Sequence, residues 1–333
     1  MSQGVMGDTT YTHDLNNRIL TSKAITLHLD NQGNETLIST SNTTFTHDAN
    51  GNKLIQASAT INTEGTILEN TTTQTNTYNS FNQLVGVVIA DVNTTAYITR
   101  NPIITRAYYT YLPNGLRRSK AVTRIIGDHL LSGNNRIHIW DGMHMVAEMQ
   151  PIGGNIIVTN RFIRGLGGSL IRSHIHGWYM FNFRGDVVQR IGVNTDHNSP
   201  MFGQLIILRT YQYDAFGNEL NFGLTNTYNS NPFRFAAEYW DAETQTYYLR
   251  ARHFNPRLGR FTQADPHWNI GNMVFGDSPT LRNNRRMPSV AAILQSGNLF
   301  VYTMGNPVFC LLRPHKNNVN NNSKHLIITG LSQ

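Results

Sequence analysis

One cysteine, Cys310, stands among 333 residues, and that scarcity excludes an internal disulfide framework and a thiolate-based structural zinc site. Charge is thin as well: Asp, Glu, Lys and Arg make up 14% of the chain, against roughly 25% in an average soluble domain. No run approaches the ~18 consecutive apolar residues of a membrane-crossing helix. The opening MSQGVMGDTTYTHD has neither a basic n-region nor an apolar h-region, so no signal peptide is legible in it. An exported protein would carry its signal elsewhere, or the chain is a piece of something longer. Helical periodicity is nearly missing. The best stretch is PSVAAILQSG, where Ser289 caps the start and Gly297 the end of barely two turns.

What is present is amide, hydroxyl and aromatic. The length suits one large domain or two ordinary ones, and Asn and Thr crowd the first hundred positions. The net charge of +7 and pI near 9.6 permit a nucleic-acid partner, but the basic residues are scattered apart from Arg285-Arg286 and the arginines of residues 234–266, so none is expected. One pattern recurs: an aromatic or β-branched pair, Asp or Asn, a Gly-Asn or Asn-Gly corner, then apolar alternation. Tyr11-Thr12-His13-Asp14, FTHDANGNKLI from Phe45, TYNSFNQLVGV from Thr77, YTYLPNGLRRS from Tyr109, WYMFNFRGDVVQRI from Trp178 and YQYDAFGNEL from Tyr211 are copies. A spacing of about 30 residues between several of them signals a repeat array. Each copy reads as strand, turn, strand: alternation places Tyr211 and Tyr213 on one face, and Gly217 accepts the positive φ of a tight hairpin. A lone hairpin buries too little to stand in water, so neighbouring copies must pair, predicting an all-β, curled antiparallel sheet with few short helices.

The segment from Pro232 to Pro266 resembles the RHS repeat-associated core domain, and the upstream copies resemble its YD repeats. Phe233-Arg234-Phe235-Ala236, Asp241-Ala242-Glu243-Thr244, Tyr247-Tyr248-Leu249-Arg250-Ala251-Arg252, Pro256-Arg257-Leu258-Gly259-Arg260-Phe261 and Asp265-Pro266 carry the likeness. RIHIWDGMHMVAE from Arg136, GDVVQRI from Gly185 and SGNLFVYTMGNPV from Ser296 extend it more weakly, and DPHWNIGNMVFGDSP from Asp265 looks like the form found in Gram-positive bacteria. The resemblance implies a hollow β-shell of YD hairpins that encloses a C-terminal toxin, with the core sealing one end. The organisation expected is 1–231 for repeat hairpins, 232–309 for the core and 310–333 for a divergent, disordered tail.

In such a wall Tyr239, Trp240, Tyr247, Tyr248, Phe254 and Phe261 supply buried area with defined packing directions. Arg250, Arg252, Arg257 and Arg260 bond carboxylates or stack on those rings, holding strand register. Phe233, Arg234, Phe235, Pro256, Gly259 and Pro266 complete the structural set that the resemblance implies. The chemical alternative is the self-cleavage some members of the family perform by an aspartyl-type reaction, for which Asp241 and Asp265 are the candidate carboxylates, one as acid and one as base. Asp265 before Pro266 reads more simply as a turn.

After Asn306-Pro307-Val308 the family pattern dissolves into FCLLRPHKNNVNNNSKHLIITGLSQ, an Asn-rich tail too short for a toxin. The chain therefore reads as a fragment of a shell without cargo. Other motifs point to nothing catalytic. In DANGNKL, Asp48, Asn50 and Asn52 mimic the start of a calcium loop, but the Gly arrives early and no Glu stands twelve along, so a turn is expected. His174 and His176 would share a strand face but lack a third ligand. GLGGS from Gly165 lacks the third Gly and the helix of a dinucleotide loop. Cys310 lies where the family pattern fails and is no candidate nucleophile, and the NTT triplets at Asn42, Asn70 and Asn93 matter only in a secreted eukaryotic protein.

The reading is thus a non-enzymatic shell segment, with no cofactor and no metal, working outside the cell or on its surface within a larger secreted protein. Its partners are the rest of the shell and the toxin. A carbohydrate-binding adhesion module that contacts cell-surface glycans and a self-cleaving core are the alternatives. Burial of the aromatics favours the shell, and a row of exposed rings favours the glycan reading.

Overall fold

A computed structural model describes residues 4–29, 35–62, 68–93, 102–220, 230–277, 279–282, 285–303, 310–314 and 326–330. The fold is all-β. Fifteen strands form one antiparallel sheet whose spatial order follows the chain: β1 Gly4–His13, β2 Ile19–Leu29, β3 Glu35–His47, β4 Lys53–Asn62, β5 Leu68–Tyr78, β6 Leu84–Asn93, β7 Ile103–Tyr111, β8 Arg117–Ile126, β9 His129–Asp141, β10 His144–Ile152, β11 Asn155–Arg164, β12 Leu170–Ser173, β13 Gly177–Phe181, β14 Val187–Val193 and β15 Leu205–Thr210. A second sheet of four short strands comprises β16 Tyr239–Asp241, β17 Thr246–Tyr248, β18 His253–Asn255 and β19 Arg260–Phe261. Leu281–Arg282 (β20) pairs with Arg285–Arg286 (β21). Among the described residues no helix is long and apolar enough to cross a membrane.

The repeated corner is one and the same turn. In each copy the backbone N–H of the first residue bonds the carbonyl four residues on, as in Asp14 to Arg18, Asp48 to Asn52, Asn79 to Gln83, Leu112 to Leu116, Asn182 to Asp186 and Asp214 to Asn218. Where that residue is Asp or Asn its side chain also accepts local backbone N–H groups, as at Asp48 from Asn52 and at Asn182 from Arg184 and Asp186, which is why these residue types start the turn. The fourth position is left-handed: Gly51, Gly115, Gly185 and Gly217 fill it, and Asn17 and Asn82 do so where glycine is missing. The DANGNKL segment is accordingly a turn, its Asp48 carboxylate taken by Asn52 at 2.8 Å.

The chain divides into two compact units. The first holds residues 1–109, 121–134 and 298–300. Its strands are rich in Thr, Ser and Asn, and cross-strand hydroxyl pairs such as Thr12–Thr21 (2.6 Å) and Thr43–Ser58 (2.9 Å) tie them together. The turns also stack along one edge: Asn82 Oδ1 accepts from the side chains of Asn50 and Asn52.

The second unit holds residues 110–120, 135–297 and 301–333. On one face Met145, Phe162, Leu170, Tyr179, Val187 and Tyr211 are buried with Phe233, Tyr239 and Tyr248 of the core segment. The register lines up Ile163, Arg172, Trp178, Ile191 and Ile207 across β11 to β15, with the Arg172 guanidinium 4.5 Å from the Trp178 ring centroid. The helix is where the sequence placed it: α1 spans Val290–Ser296, and Ser289 Oγ accepts from Ala292 N.

Three local expectations need correction. His174 and His176 lie in the turn between β12 and β13 and not on a strand, because Ser173 Oγ takes the N–H groups of Ile175 and His176 and Gly177 adopts φ +76°. Tyr211 and Tyr213 do stack at 6.2 Å, but their hairpin reduces to the single bridge Tyr213–Glu219. Within the tail expected to be disordered, Cys310–Pro314 pairs antiparallel with Leu326–Gly330, where the run of Leu326, Ile327 and Ile328 carries strand propensity. The rest of that tail lies outside the described residues.

Candidate functional site

The core segment folds by tight reversals that aim alternate side chains inward. Phe235–Ala237 make one turn of 3-10 helix in which Ala236 and Ala237 both take positive φ, a conformation that costs an L-residue about 1 kcal/mol. It is held by Asp186 Oδ1, which accepts from Ala236 N at 3.0 Å, and by Arg234 O, which accepts from Val187 N. From there β16 to β19 run as an antiparallel meander with Tyr239 opposite Tyr248, Trp240 opposite Tyr247 and Phe254 opposite Phe261. Tyr302 stacks on Phe254 at 4.0 Å and joins Phe235, Tyr247 and Phe261 in one cluster.

Asp241, at the end of β16, is the centre of the charge chemistry. It is fully buried, and two cations from the start of β8 reach it: Arg117 at 2.7 Å on Oδ2 and Lys120 at 2.7 Å on Oδ1. Lys120 also meets Glu243 at 2.8 Å, and His253 Nδ1 stands 3.7 Å from Asp241. The Arg117 guanidinium lies over the rings of Tyr248 (4.2 Å) and Tyr239 (5.0 Å), while the backbone N–H of Arg117 donates to Tyr248 Oη and its backbone carbonyl accepts from Trp140 Nε1. Burial pushes the Asp241 carboxyl up, but Arg117 and then Lys120 outweigh it and hold the group well below the usual carboxylate range. Burial likewise opposes the Arg117 charge and Asp241 more than restores it. Burial drives the Tyr248 hydroxyl up to about 12.

Beside this pair lies a second buried carboxylate, Glu148 of β10, which accepts from Tyr239 Oη at 2.7 Å and Arg136 at 2.9 Å. His138 packs 5.3 Å from the Tyr239 ring, with Nε2 4.0 Å from Glu148. Burial, reinforced by Arg117 and Lys120, pushes its pKa far down, so it stays neutral. Elsewhere in the motif Glu219 is clasped by Arg209 and Arg234, Arg250 bonds Glu238 at 3.0 Å, and Arg252 pairs with Asp265 at 2.9 Å while lying 3.6 Å from the Phe261 ring centroid.

Of the motif's arginines, Arg234, Arg250 and Arg252 each meet a carboxylate. Arg257 instead is exposed, and Arg260 enters through its backbone bridge to Val301. Pro256 caps the β18–β19 turn, its carbonyl accepting from Gly259 N and Asn218 Nδ2. Gly259 has φ +62° and packs on Phe216. Pro266 is exposed. The two candidate catalytic carboxylates are taken by different cations: Asp241 by Arg117 and Lys120, Asp265 by Arg252, with His267 N also donating to Asp265. A dyad needs one carboxyl to keep its proton, and the cations around Asp241 keep it ionised. Arg117, Lys120, Arg136, Glu148, Glu219 and Tyr302 escaped the sequence reading. GLRRS and MHMVAE flagged their neighbourhoods, yet nothing in a sequence pairs residues 124 positions apart. Among the described residues no group of three or more His, Cys, Asp or Glu could hold a metal.

No protein-family model matches the chain. It is 30% identical over 180 residues to the tRNA3(Ser)-specific nuclease WapA of Bacillus spizizenii, covering 53% of this chain and 7% of that protein. It is 35% identical over 89 residues to the tRNA(Glu)-specific nuclease WapA of Bacillus subtilis subsp. natto, covering 27% of this chain and 3% of that one. With the double-stranded DNA deaminase toxin A of Burkholderia cenocepacia it shares 26% identity over 210 residues, 58% of this chain and 14% of the toxin. The chain thus spans a small fraction of each of these relatives. The crystal structure of TcdB2-TccC3 aligns with a TM-score of 0.39 at 15% identity, over 91% of this chain and 15% of that one.

Proposed function

We propose that the chain is a non-enzymatic wall segment of a polymorphic toxin of the RHS type, which encloses and helps deliver a toxin domain between competing bacteria. The observation that carries this reading is the Arg117–Asp241–Lys120 cluster. It is a buried ionic bolt fastening the core meander to β8, and a carboxylate held between two cations serves structure rather than turning over a substrate. The rings of residues 233–261 support the same reading against glycan binding, since Phe233, Phe235, Tyr239, Tyr247, Tyr248, Phe254 and Phe261 are all buried where a sugar platform needs them in solvent. The likeness to nuclease and deaminase toxins adds a setting: their printed activities belong to proteins of which this chain matches a minor part. On this reading the protein works at or outside the cell surface as part of a longer secreted polypeptide.

A chimera tests it. The matched 180 residues of the Bacillus spizizenii nuclease are replaced by the corresponding residues of this chain, and protease protection of the nuclease activity is measured on the intact protein. Protection at the parental level is expected, and loss again on adding Asp241→Asn. A chimera whose nuclease is digested as fast in the absence of that substitution as in its presence contradicts the wall role. Self-cleavage predicts instead a shorter product on storage that Asp265→Asn abolishes, read by intact mass.

A further inference from the structure

The β20–β21 knuckle places Arg282 directly opposite Arg285 and Leu281 opposite Arg286. Like charges facing each other across two strands repel, and beyond the ribbon Met287 N donates to Thr280 O. Among the described residues none of the three arginines forms an ion pair, and all are exposed. Nor does the surrounding sequence supply a counter-charge: from Ser278 to Gln333 there is no Asp or Glu, and the last acidic residue, Asp277, is paired with His267. Anions brought from outside would relieve that repulsion.

Immediately after the knuckle comes α1. Ala292 is its one buried residue, packed against Gly276. Val290, Ile293 and Leu294, at i, i+3 and i+4, form the opposite face and are 70%, 45% and 65% exposed. Leu281 adds 64% exposure on the knuckle itself. The helix is thus inverted, with its aliphatic stripe outward, and it is anchored from behind by Ser289 N to Val274 O and Ser296 Oγ to Met273 O.

We infer that the β20–β21 arginines and the outer face of α1 form a docking patch for an anionic lipid surface, in which Arg282, Arg285 and Arg286 meet lipid phosphates and the face of Val290, Ile293 and Leu294 enters the headgroup–acyl boundary. A bilayer presents phosphate and hydrocarbon in adjacent layers, so it matches both halves of the patch together. A soluble polyanion answers the arginines and leaves the aliphatic face in water. A protein partner answers the aliphatic face without needing three unpaired arginines.

Vesicle flotation of the full chain tests this, using phosphatidylcholine vesicles with and without phosphatidylglycerol. Binding to the anionic vesicles alone is expected, falling with salt. Combined Arg282→Gln, Arg285→Gln and Arg286→Gln weakens it by about 100-fold, at roughly fivefold per arginine. Combined Val290→Ser, Ile293→Ser and Leu294→Ser weakens it at least tenfold, with the thermal melt of both variants unchanged because every altered side chain is exposed. Three results overturn the proposal: no binding of the wild-type chain to anionic vesicles, unchanged binding by the helix variant with competition by soluble polyphosphate, or a dimer of the chain that the helix variant dissociates.

Discussion

Asp241 and Lys53 show the two fates of a buried charge. Asp241 has two cationic partners, and removing its charge by Asp241→Asn leaves Arg117 buried without its counter-ion and Lys120 with Glu243 alone, a loss expected at about 3–5 kcal/mol in denaturant unfolding. Lys53 of the first unit is 4% exposed, and among the described residues its ammonium bonds the Gln56 amide oxygen alone, at 2.7 Å. Burial lowers its pKa from 10.5 to about 8. The folded form thus binds the proton less tightly than the unfolded one, so stability rises with pH between about 8 and 10.5 and the charge is a burden at neutrality. Lys53→Met is expected to stabilise by about 1–2 kcal/mol at pH 7 and to flatten that rise, as read by urea unfolding at pH 7 and 10. The sequence announced that Asp241 lies in a core motif, because its neighbours do. It could not announce that Lys53 is buried, since the flanking Asn52 and Gln56 are ordinary surface residue types.

The hairpin corner was the most legible element, because each of its constraints is local. An acceptor side chain at the first position and a glycine or asparagine at the fourth are written within five residues, and the structure uses the fourth at every copy and the first at all but the Leu112 copy. Helix α1 was legible for the same reason. Gly217 joins the local to the distant: its φ is +88°, and a Cβ there would lie 2.5 Å from the Phe235 ring. Gly217→Ala is therefore expected to cost about 2–4 kcal/mol, strain and overpacking together, while Gly185→Ala, with nothing within 4 Å of its Cβ position, costs about 1 kcal/mol from backbone strain alone. A melting comparison of the two variants separates the contributions. What the local code could not give is how the shortened strands of the meander are completed, because Glu148, Glu219 and Tyr302 come from other parts of the chain.

For the molecule as a whole, the sheet begins at β1 and ends at β15, and β15 carries Leu205 and Ile207 largely exposed. An apolar end strand whose one charge, Arg209, is buried against Glu219 invites another strand. The purified chain is expected to self-associate at high concentration, and Ile207→Lys to shift its elution toward monomer; a wild-type chain that stays monomeric contradicts this. All-β architecture was readable from the repeats and the resemblance, whereas the division into two units was not, since the first unit takes back residues 121–134 and 298–300 from later in the chain. The strand order carries a last consequence. Because each strand lies beside the one made just before it, the ladder can assemble in the direction of synthesis, hairpin by hairpin, without waiting for remote partners. The Arg117–Asp241 pair must wait for 124 further residues, so the bolt sets after the ladder, and a chain interrupted before Asp241 emerges holds a ladder but no lock.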